Sequence, residues 1–222
     1  NYTNATESWN GTAWAELNNL NAAKAQINTS SGTGASDGLA SGGILVPGTR
    51  VAQTEFFNGT SWTEINDLSV ARTQIGSAGT ASSTMAAGGN TGSGTPTSTE
   101  EWDAPAIISK INLGQVYFNS GSNAFKVTQN VVGTGAWSSG GSLNQGRYRL
   151  MSTGGAASTS AALVFGGYKP SSPPPNDTFT LTEQYNGSAW TEVNDMNTAK
   201  SAGVGFGTTT AAITTSGSDS TV

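Results

Sequence analysis

The sequence predicts an all-β fold built from four repeated units, and three observations lead to this prediction. A motif of the form aromatic–Asn–Gly–x–x–Trp follows Glu7, Glu55 and Glu183, and a split copy starts at Glu101 and resumes at Ala136. The 30 glycines and the absence of a helical period disfavour helices. Repeats of about 50 residues are typical of arrays and propellers, in which each unit buries its apolar face against its neighbours.

The unit at 52–98 reads as four strands. Asn58 and Gly59 separate two strand-like runs, which predicts a hairpin over 53–65 because both central positions of such a turn need positive φ. Two short runs rich in small residues follow it. Four strands in each repeat are typical of a propeller blade. We therefore expect about four four-stranded blades, in units spanning about 5–51, 52–98, 99–178 and 179–222.

The chain starts and stops out of phase with these blades. It opens with an outer hairpin, at 5–16, and closes with an inner strand pair, at 202–216. The two ends could complete one blade together, which would close a four-bladed ring without a free edge. Alternatively, the 222 residues are part of a longer propeller. The sequence leaves both readings open.

Residues that recur in every unit are expected to be structural, since a functional site needs a unique constellation. The recurring tryptophans should pack between neighbouring sheets, where indole rings bury a large apolar area. The recurring Lys24, Arg72, Arg147 and Lys200 should bind backbone groups or pair with carboxylates within the sheets. The predicted structural set is Trp14, Trp62, Trp137, Trp190, Glu7, Glu55, Glu101, Glu183, Gly42, Gly43, Gly88, Gly89, Gly166 and Gly167.

The order of these residues resembles the kelch repeat. A glycine pair, an aromatic residue, a tryptophan, a Leu or Met and a basic residue follow one another, as in Gly43, Phe57, Trp62, Leu68 and Arg72. The resemblance covers nearly the whole chain, although the fourth unit has Ser-Gly in place of the glycine pair. It implies a kelch-like β-propeller with the small-residue strands innermost and the tryptophan strand outermost.

The third unit carries an insertion at 104–135. Its residues 114–127 predict a β-hairpin, since two strand-like runs flank the turn-forming residues 119–123. This hairpin resembles one that recurs in bacteriophage tail and fibre proteins. Together with the repeats, the resemblance implies a virion structural or appendage protein that lies on the particle surface. The alternative is a secreted bacterial glycan-binding propeller or, less favoured, a glycan-cleaving one.

Aromatic residues outside the repeat pattern are the binding candidates. Loops at 44–50, 90–99 and 168–177 join equivalent strands, so we expect them to share one face, where binding commonly resides. The expected partners are host-surface polysaccharide or other virion proteins, and the chain is compatible with a homo-oligomer. The candidate binding residues are Tyr117, Phe118, Phe125, Tyr168 and Lys169.

Composition argues against several other functions. The net charge of −5, with 9 Lys and Arg, disfavours nucleic-acid binding, which requires clustered basic residues. His and Cys are absent, so ordinary zinc and copper sites are not expected. No apolar run reaches the roughly 18 residues of a membrane span. Most carboxylates occupy repeat positions, so we expect no enzymatic activity, no metal and no cofactor.

Overall fold

The computed structural model describes residues 2–31, 36–104, 116–119, 124–127, 135–153, 159–170 and 177–219. All regular elements in these ranges are β-strands, which confirms the all-β prediction. In chain order the strands are β1 (Thr6–Trp9), β2 (Trp14–Leu17), β3 (Lys24–Ala25), β4 (Asn28–Ser31), β5 (Gly38–Ser41), β6 (Ile44–Leu45), β7 (Thr49–Arg50), β8 (Thr54–Phe57), β9 (Trp62–Ile65), β10 (Gly76–Thr80), β11 (Ser83–Ala87), β12 (Thr99–Asp103), β13 (Val116–Asn119), β14 (Ala124–Val127), β15 (Ala136–Ser139), β16 (Met151–Ser152), β17 (Ala162–Phe165), β18 (Tyr168–Lys169), β19 (Asp177–Thr178), β20 (Thr182–Tyr185), β21 (Trp190–Val193), β22 (Val204–Gly207) and β23 (Ala212–Thr215).

Three antiparallel four-stranded sheets form the body of the molecule. Sheet A has the order β4-β5-β8-β9, sheet B the order β10-β11-β12-β15 and sheet C the order β16-β17-β20-β21. Each sheet takes its inner pair from one repeat and its outer pair from the next. The described part of the chain also contains a three-stranded sheet of the order β3-β6-β7, a pair of β18 and β19, and a separate hairpin of β13 and β14. That hairpin confirms the one predicted within the insertion.

The outer hairpins form where the Asn-Gly motif predicts them. Strands β8 and β9 pair from Thr54 with Ile65 to Phe57 with Trp62. In the turn, the Asn58 side-chain oxygen accepts hydrogen bonds from the backbone N–H groups of Thr60 and Ser61, each at 2.9 Å. Gly59 has a φ of 89°, which a glycine adopts without steric cost. The local turn chemistry therefore fixes the register of the outer pair.

Two half-sheets flank the three complete sheets. The N-terminal half-sheet consists of β1 and β2, and the C-terminal half-sheet consists of β22 and β23. Within the described residues, no hydrogen-bonded ladder joins β23 to β1. Strands of both half-sheets expose large apolar side chains, among them Trp14, which is 66% exposed, and Ile213, which is 59% exposed.

Three of the recurring tryptophans, Trp62, Trp137 and Trp190, bond to the neighbouring sheet, whereas the fourth, Trp14, is 66% exposed. Trp190 of sheet C is 6% exposed and packs with Met85 of sheet B and Val164 of sheet C. Its indole N–H donates to Thr99 Oγ1 of sheet B at 3.0 Å. The equivalent bonds run from Trp137 to Thr54 at 3.3 Å and from Trp62 to Thr6 at 3.1 Å. The same donor and acceptor thus recur at every junction between neighbouring sheets from the N-terminal half-sheet to sheet C.

Buried ion pairs form a second recurring contact. Lys24 Nζ lies 2.8 Å from Glu55 Oε1, although without hydrogen-bonding geometry, and Arg147 donates to Glu183 at 2.5 Å. The third pair joins Arg72 to Glu100. These contacts offset the cost of burying each charge. The second carboxylate oxygen accepts a backbone N–H in each case, from Asn21, Ser69 and Asn144 at 2.8, 2.7 and 2.7 Å respectively.

The split third copy is shifted by one residue relative to the sequence alignment. Glu100, and not Glu101, occupies the position of Glu55 and Glu183, because Glu100 is the partner of Arg72. Glu101 instead accepts a hydrogen bond from the hydroxyl of Tyr185. Two consecutive glutamates in this copy make the motif ambiguous by one position.

The glycine pairs mark the point where each inner strand turns away from its sheet. Gly88 and Gly89 have φ values of 64° and 102°, and the Gly89 N–H donates to the Arg147 carbonyl at 3.1 Å. A Cβ on Gly88 would lie 2.6 Å from that same carbonyl oxygen. In the fourth unit Ser216 and Gly217 take the same conformation, with φ values of 61° and 108°.

Candidate ligand-binding face

The four units carry equivalent backbone bridges next to their basic residues, and only one of these bridges is aromatic. Three of them join residues that are not aromatic: Ala25 with Ile44, Thr73 with Asn90, and Ser201 with Ser218. In the third unit Tyr148 pairs with Tyr168. Their rings meet edge to face with centroids 5.3 Å apart. The third unit therefore differs from the other three units at this bridge.

Arg149 follows Tyr148 and departs from the repeat in the same way. The equivalent positions hold Gln26, Gln74 and Ala202, and all four residues have φ between 54° and 57°. Their backbones are linked in series, since Gln74 donates to Gln26, Arg149 to Gln74 and Ala202 to Arg149 at 3.4, 3.2 and 3.0 Å. A residue at this position therefore adopts a left-handed conformation that the fold imposes, whatever its side chain.

The Arg149 guanidinium lies over both tyrosines. Its carbon is 5.5 Å from the Tyr148 ring centroid and 5.7 Å from that of Tyr168. Arg149 is exposed, whereas Tyr148 is buried and Tyr168 is half-buried. Cation–π attraction holds the guanidinium on the rings, and its N–H groups remain oriented around its edge.

The connecting loops bring a second arginine to this face. Arg50, the last residue of β7, lies against Gly92 of the loop 90–99, where a Cβ would be 2.7 Å from the guanidinium. Arg50 is also close enough to Tyr148 to influence its ionisation. Its Nε is buried and has no hydrogen-bond partner among the described residues. These contacts show that loops from successive units meet on one side of the molecule.

Burial is the main influence on the Tyr148 hydroxyl. It raises the pKa of Tyr148, while the Arg149 cation opposes this and the neighbouring Tyr168 reinforces it. The phenol therefore stays protonated and can donate a hydrogen bond. A protonated phenol beside two guanidinium groups is a donor-rich surface with aromatic walls.

The predicted binding residues fall into two groups. Tyr168 and Lys169 form β18, which pairs with β19. Tyr168 lies under Arg149, and Lys169 is the next residue along the strand. Phe125 is 75% exposed on β14 of the insertion. The side chains of Tyr117 and Phe118 lie outside the described part of the structure. The sequence did not single out Arg149 or Arg50, although comparison of the four units at the position after the bridge would have revealed Arg149.

The described residues contain no group of three or more carboxylates able to hold a metal ion. They also contain no helix that is both long enough and apolar enough to cross a membrane. Neither tyrosine of the aromatic bridge forms a hydrogen bond to a carboxylate in the described ranges. The chemistry available at this face is therefore hydrogen-bond donation, positive charge and aromatic contact.

Comparison with known proteins supports the architecture alone. No family model matches the chain, and no curated protein matches it. Among solved structures, the chain is similar to the structure of YjhT, with a TM-score of 0.63 at 10% sequence identity. The similarity covers 87% of this chain but 62% of YjhT, so the chain spans less than two thirds of that protein. YjhT has a β-propeller-like fold. The chain thus has an all-β architecture of small antiparallel sheets, and its structural neighbour is propeller-like.

Proposed function

We propose that the chain is a non-enzymatic, kelch-like propeller scaffold of a phage virion appendage that binds a host-surface glycan. The glycan would lie on the face formed by Tyr148, Arg149, Tyr168 and Arg50, which we call the Tyr-Arg face. One observation carries this proposal: of four equivalent bridge positions, only this one combines two tyrosines with an arginine. A unique cluster on a repeated scaffold is where a ligand would be recognised.

The chemistry of the Tyr-Arg face fits an anionic sugar. Tyrosine rings contact the apolar faces of sugar rings, and the Tyr148 hydroxyl, kept protonated by burial, donates to sugar oxygens. Among the described residues, no carboxylate lies within 4.0 Å of Arg149. A guanidinium without a protein carboxylate binds a ligand carboxylate well, because its donors match the two carboxylate oxygens.

The virion assignment has a different basis. It rests on the resemblance of the insertion to hairpins of phage tail and fibre proteins and on the repeat pattern. The hairpin of β13 and β14 matches the expected segment. Its exposed Phe125 is a second candidate contact, to either a glycan or another virion protein. The virion role predicts that peptides of this chain are recovered by mass spectrometry from purified particles.

Binding to defined polysaccharides tests the glycan role. Isothermal titration with alginate, a polyuronate, is compared with dextran, a neutral polymer. The variants copy the second unit into the third: Arg149→Gln, Tyr148→Thr and Tyr168→Asn, which should preserve the fold because the equivalent residues already occupy these backbone positions. We expect alginate to bind and dextran to bind more weakly.

The loss on substitution identifies the site. A hydrogen bond to a charged group contributes about 1.5–3 kcal/mol, so Arg149→Gln should weaken alginate binding by roughly tenfold to a hundredfold. The comparison variant is Phe125→Ala, which removes the second candidate contact, outside the Tyr-Arg face. If Phe125→Ala abolishes binding and the three face variants do not, the Tyr-Arg face is not the site. Lack of binding to all polysaccharides tested would contradict the glycan role.

A further inference from the structure

The C-terminal half-sheet of β22 and β23 lacks the outer strand pair that the other three sheets have. Sheets A, B and C each place an outer pair beside the inner pair, whereas β23 has no strand on its outer side among the described residues. Two clefts of about 290 and 320 Å³ open beside the half-sheet. The first is lined by Thr182, Met196 and Ile213, among others. The second is lined by Lys200, Ser218 and Asp219, among others.

Each cleft lies at a position where neighbouring four-stranded sheets hold a buried side chain, either a tryptophan or a glutamate. Elsewhere a tryptophan donates to the threonine that begins the outer strand of the preceding sheet, and Thr182 is that threonine in sheet C. Elsewhere the basic residue at the end of a unit pairs with a buried glutamate, and Lys200 is that residue in the fourth unit. Within the described ranges, Lys200 has no carboxylate within 4.0 Å. The clefts therefore mark the places of an indole ring and a carboxylate.

The N-terminal half-sheet of β1 and β2 carries the complementary groups. Thr6 and Glu7 match Thr54-Glu55 and Thr182-Glu183 in order, and Glu7 is exposed and has no ion-pair partner in the described part of the chain. Trp14 occupies the position of Trp62 and Trp190 but is 66% exposed. Its ring contacts Trp9 at a centroid distance of 5.7 Å. This hairpin therefore carries the exposed indole ring and the unpaired carboxylate that the two clefts beside the C-terminal half-sheet would accept.

We propose that the β1-β2 hairpin of a second copy of this chain completes the C-terminal half-sheet. The registers of sheets A and C, in which Ala40 pairs with Glu55 and Val164 with Glu183, place Thr214 opposite Glu7 and Ile213 opposite Ser8. In that register Trp14 of one copy enters the first cleft toward Thr182, and Glu7 enters the second toward Lys200. The association is head to tail, and it hides two strand edges that would otherwise be free to aggregate.

The occupant is a second copy because, among the described residues, the hairpin of the same chain is not paired with β23 and leaves Trp14 exposed. Thr6 accepts the hydrogen bond from Trp62 of sheet A, and Asn18 donates to the Thr60 carbonyl at 2.8 Å. Sheets A, B and C lie between this hairpin and β23 along the series of junctions. Those bonds do not use the edge of β1 that faces away from β2. In sheets A and B the equivalent threonines, Thr54 and Thr99, accept such a bond and still pair with the inner strand of their own sheet.

Cysteine cross-linking with the full chain tests this register directly. The native chain contains no cysteine, so every thiol is introduced deliberately. Ser8→Cys and Ile213→Cys are made as separate proteins, mixed and oxidised. Paired strands bring such residues within the 4.4–6.8 Å Cα separation that a disulfide needs. We expect a covalent dimer whose linked peptides contain residues 8 and 213. Thr12→Cys, in the turn of the same hairpin, is the matched control and should give no such link with Ile213→Cys.

Sedimentation velocity over a micromolar concentration range supplies an independent measurement. We expect the unmodified chain to associate, and Trp14→Ala and Lys200→Gln each to weaken association at least tenfold. Val70→Ala, which removes an exposed apolar side chain outside both half-sheets, should leave association unchanged. A chain that remains monomeric throughout the range overturns the proposal. A disulfide that forms only within one chain carrying both cysteines, and never between the separate variants, overturns it in favour of closure of the chain on itself.

Discussion

Replacing Trp190 with alanine tests whether the recurring indole rings hold neighbouring sheets together. Trp190 is 6% exposed, packs between sheets B and C and donates to Thr99. Large-to-small substitution of a buried aromatic residue costs about 3–5 kcal/mol, and the lost hydrogen bond is included in that range. With a urea dependence of about 2 kcal/mol per molar, a loss of about 4 kcal/mol lowers the unfolding midpoint by about 2 M.

Urea unfolding followed by far-ultraviolet circular dichroism measures this loss. The matched control is Trp14→Ala, because Trp14 occupies the same repeat position but is 66% exposed. At dilutions at which the chain is monomeric, Trp14→Ala should lower the unfolding free energy by less than about 1 kcal/mol, as surface substitutions usually do. Equal losses in the two variants, or a loss below about 1 kcal/mol for Trp190→Ala, would refute the packing role.

Three further perturbations probe the repeated framework. Glu183→Ala should lower the unfolding free energy by about 3–5 kcal/mol, because it leaves the buried Arg147 guanidinium without its carboxylate; a urea titration that shows no loss would contradict this. Gly88→Ala should destabilise the chain by more than about 1 kcal/mol in thermal unfolding, because a Cβ there meets the Arg147 carbonyl. Gly94→Ala should cost less than Gly88→Ala, because a Cβ at Gly94 meets nothing within 4 Å and its backbone is not in the left-handed region. Burial, and then the hydrogen bond to a carboxylate, raise the pKa of Tyr185 above 10.0, so its contribution to stability is present below pH 10.0 and is lost as the pH rises through the folded-state pKa. Tyr185→Phe should therefore remove part of the alkaline loss of stability, and an unchanged pH profile would count against this.

Local turn chemistry made much of the fold predictable. Asn58 and Gly59 encode their hairpin through short-range hydrogen bonds and a positive φ, so no distant contact is needed to recognise it. The recurrence of tryptophan likewise indicated the junctions between sheets, because an indole ring at a fixed interval has to be buried against something. These features depend on neighbours in the sequence, and the sequence displays them.

Other features depend on which residues meet across the fold. Glu100 and Glu101 cannot be told apart in the motif, and only the position of Arg72 shows which one is buried in the ion pair. Arg149 is an exposed arginine after a tyrosine, and its importance appears only once Tyr168 is seen beside Tyr148. The repeats did not show whether β1 and β23 pair, because both a closed ring and an open series satisfy the same motif; among the described residues the two strands are not paired.

The inner series of backbone hydrogen bonds has a consequence for how the molecule comes apart. Each unit donates to the one before it, from Ala202 to Arg149, to Gln74 and to Gln26, so every interior unit is held from both sides and each end from one. Stability in such a series is a sum over nearest neighbours. Melting should therefore proceed inward from the two half-sheets, and amide hydrogens of sheet B should be the last to exchange with solvent.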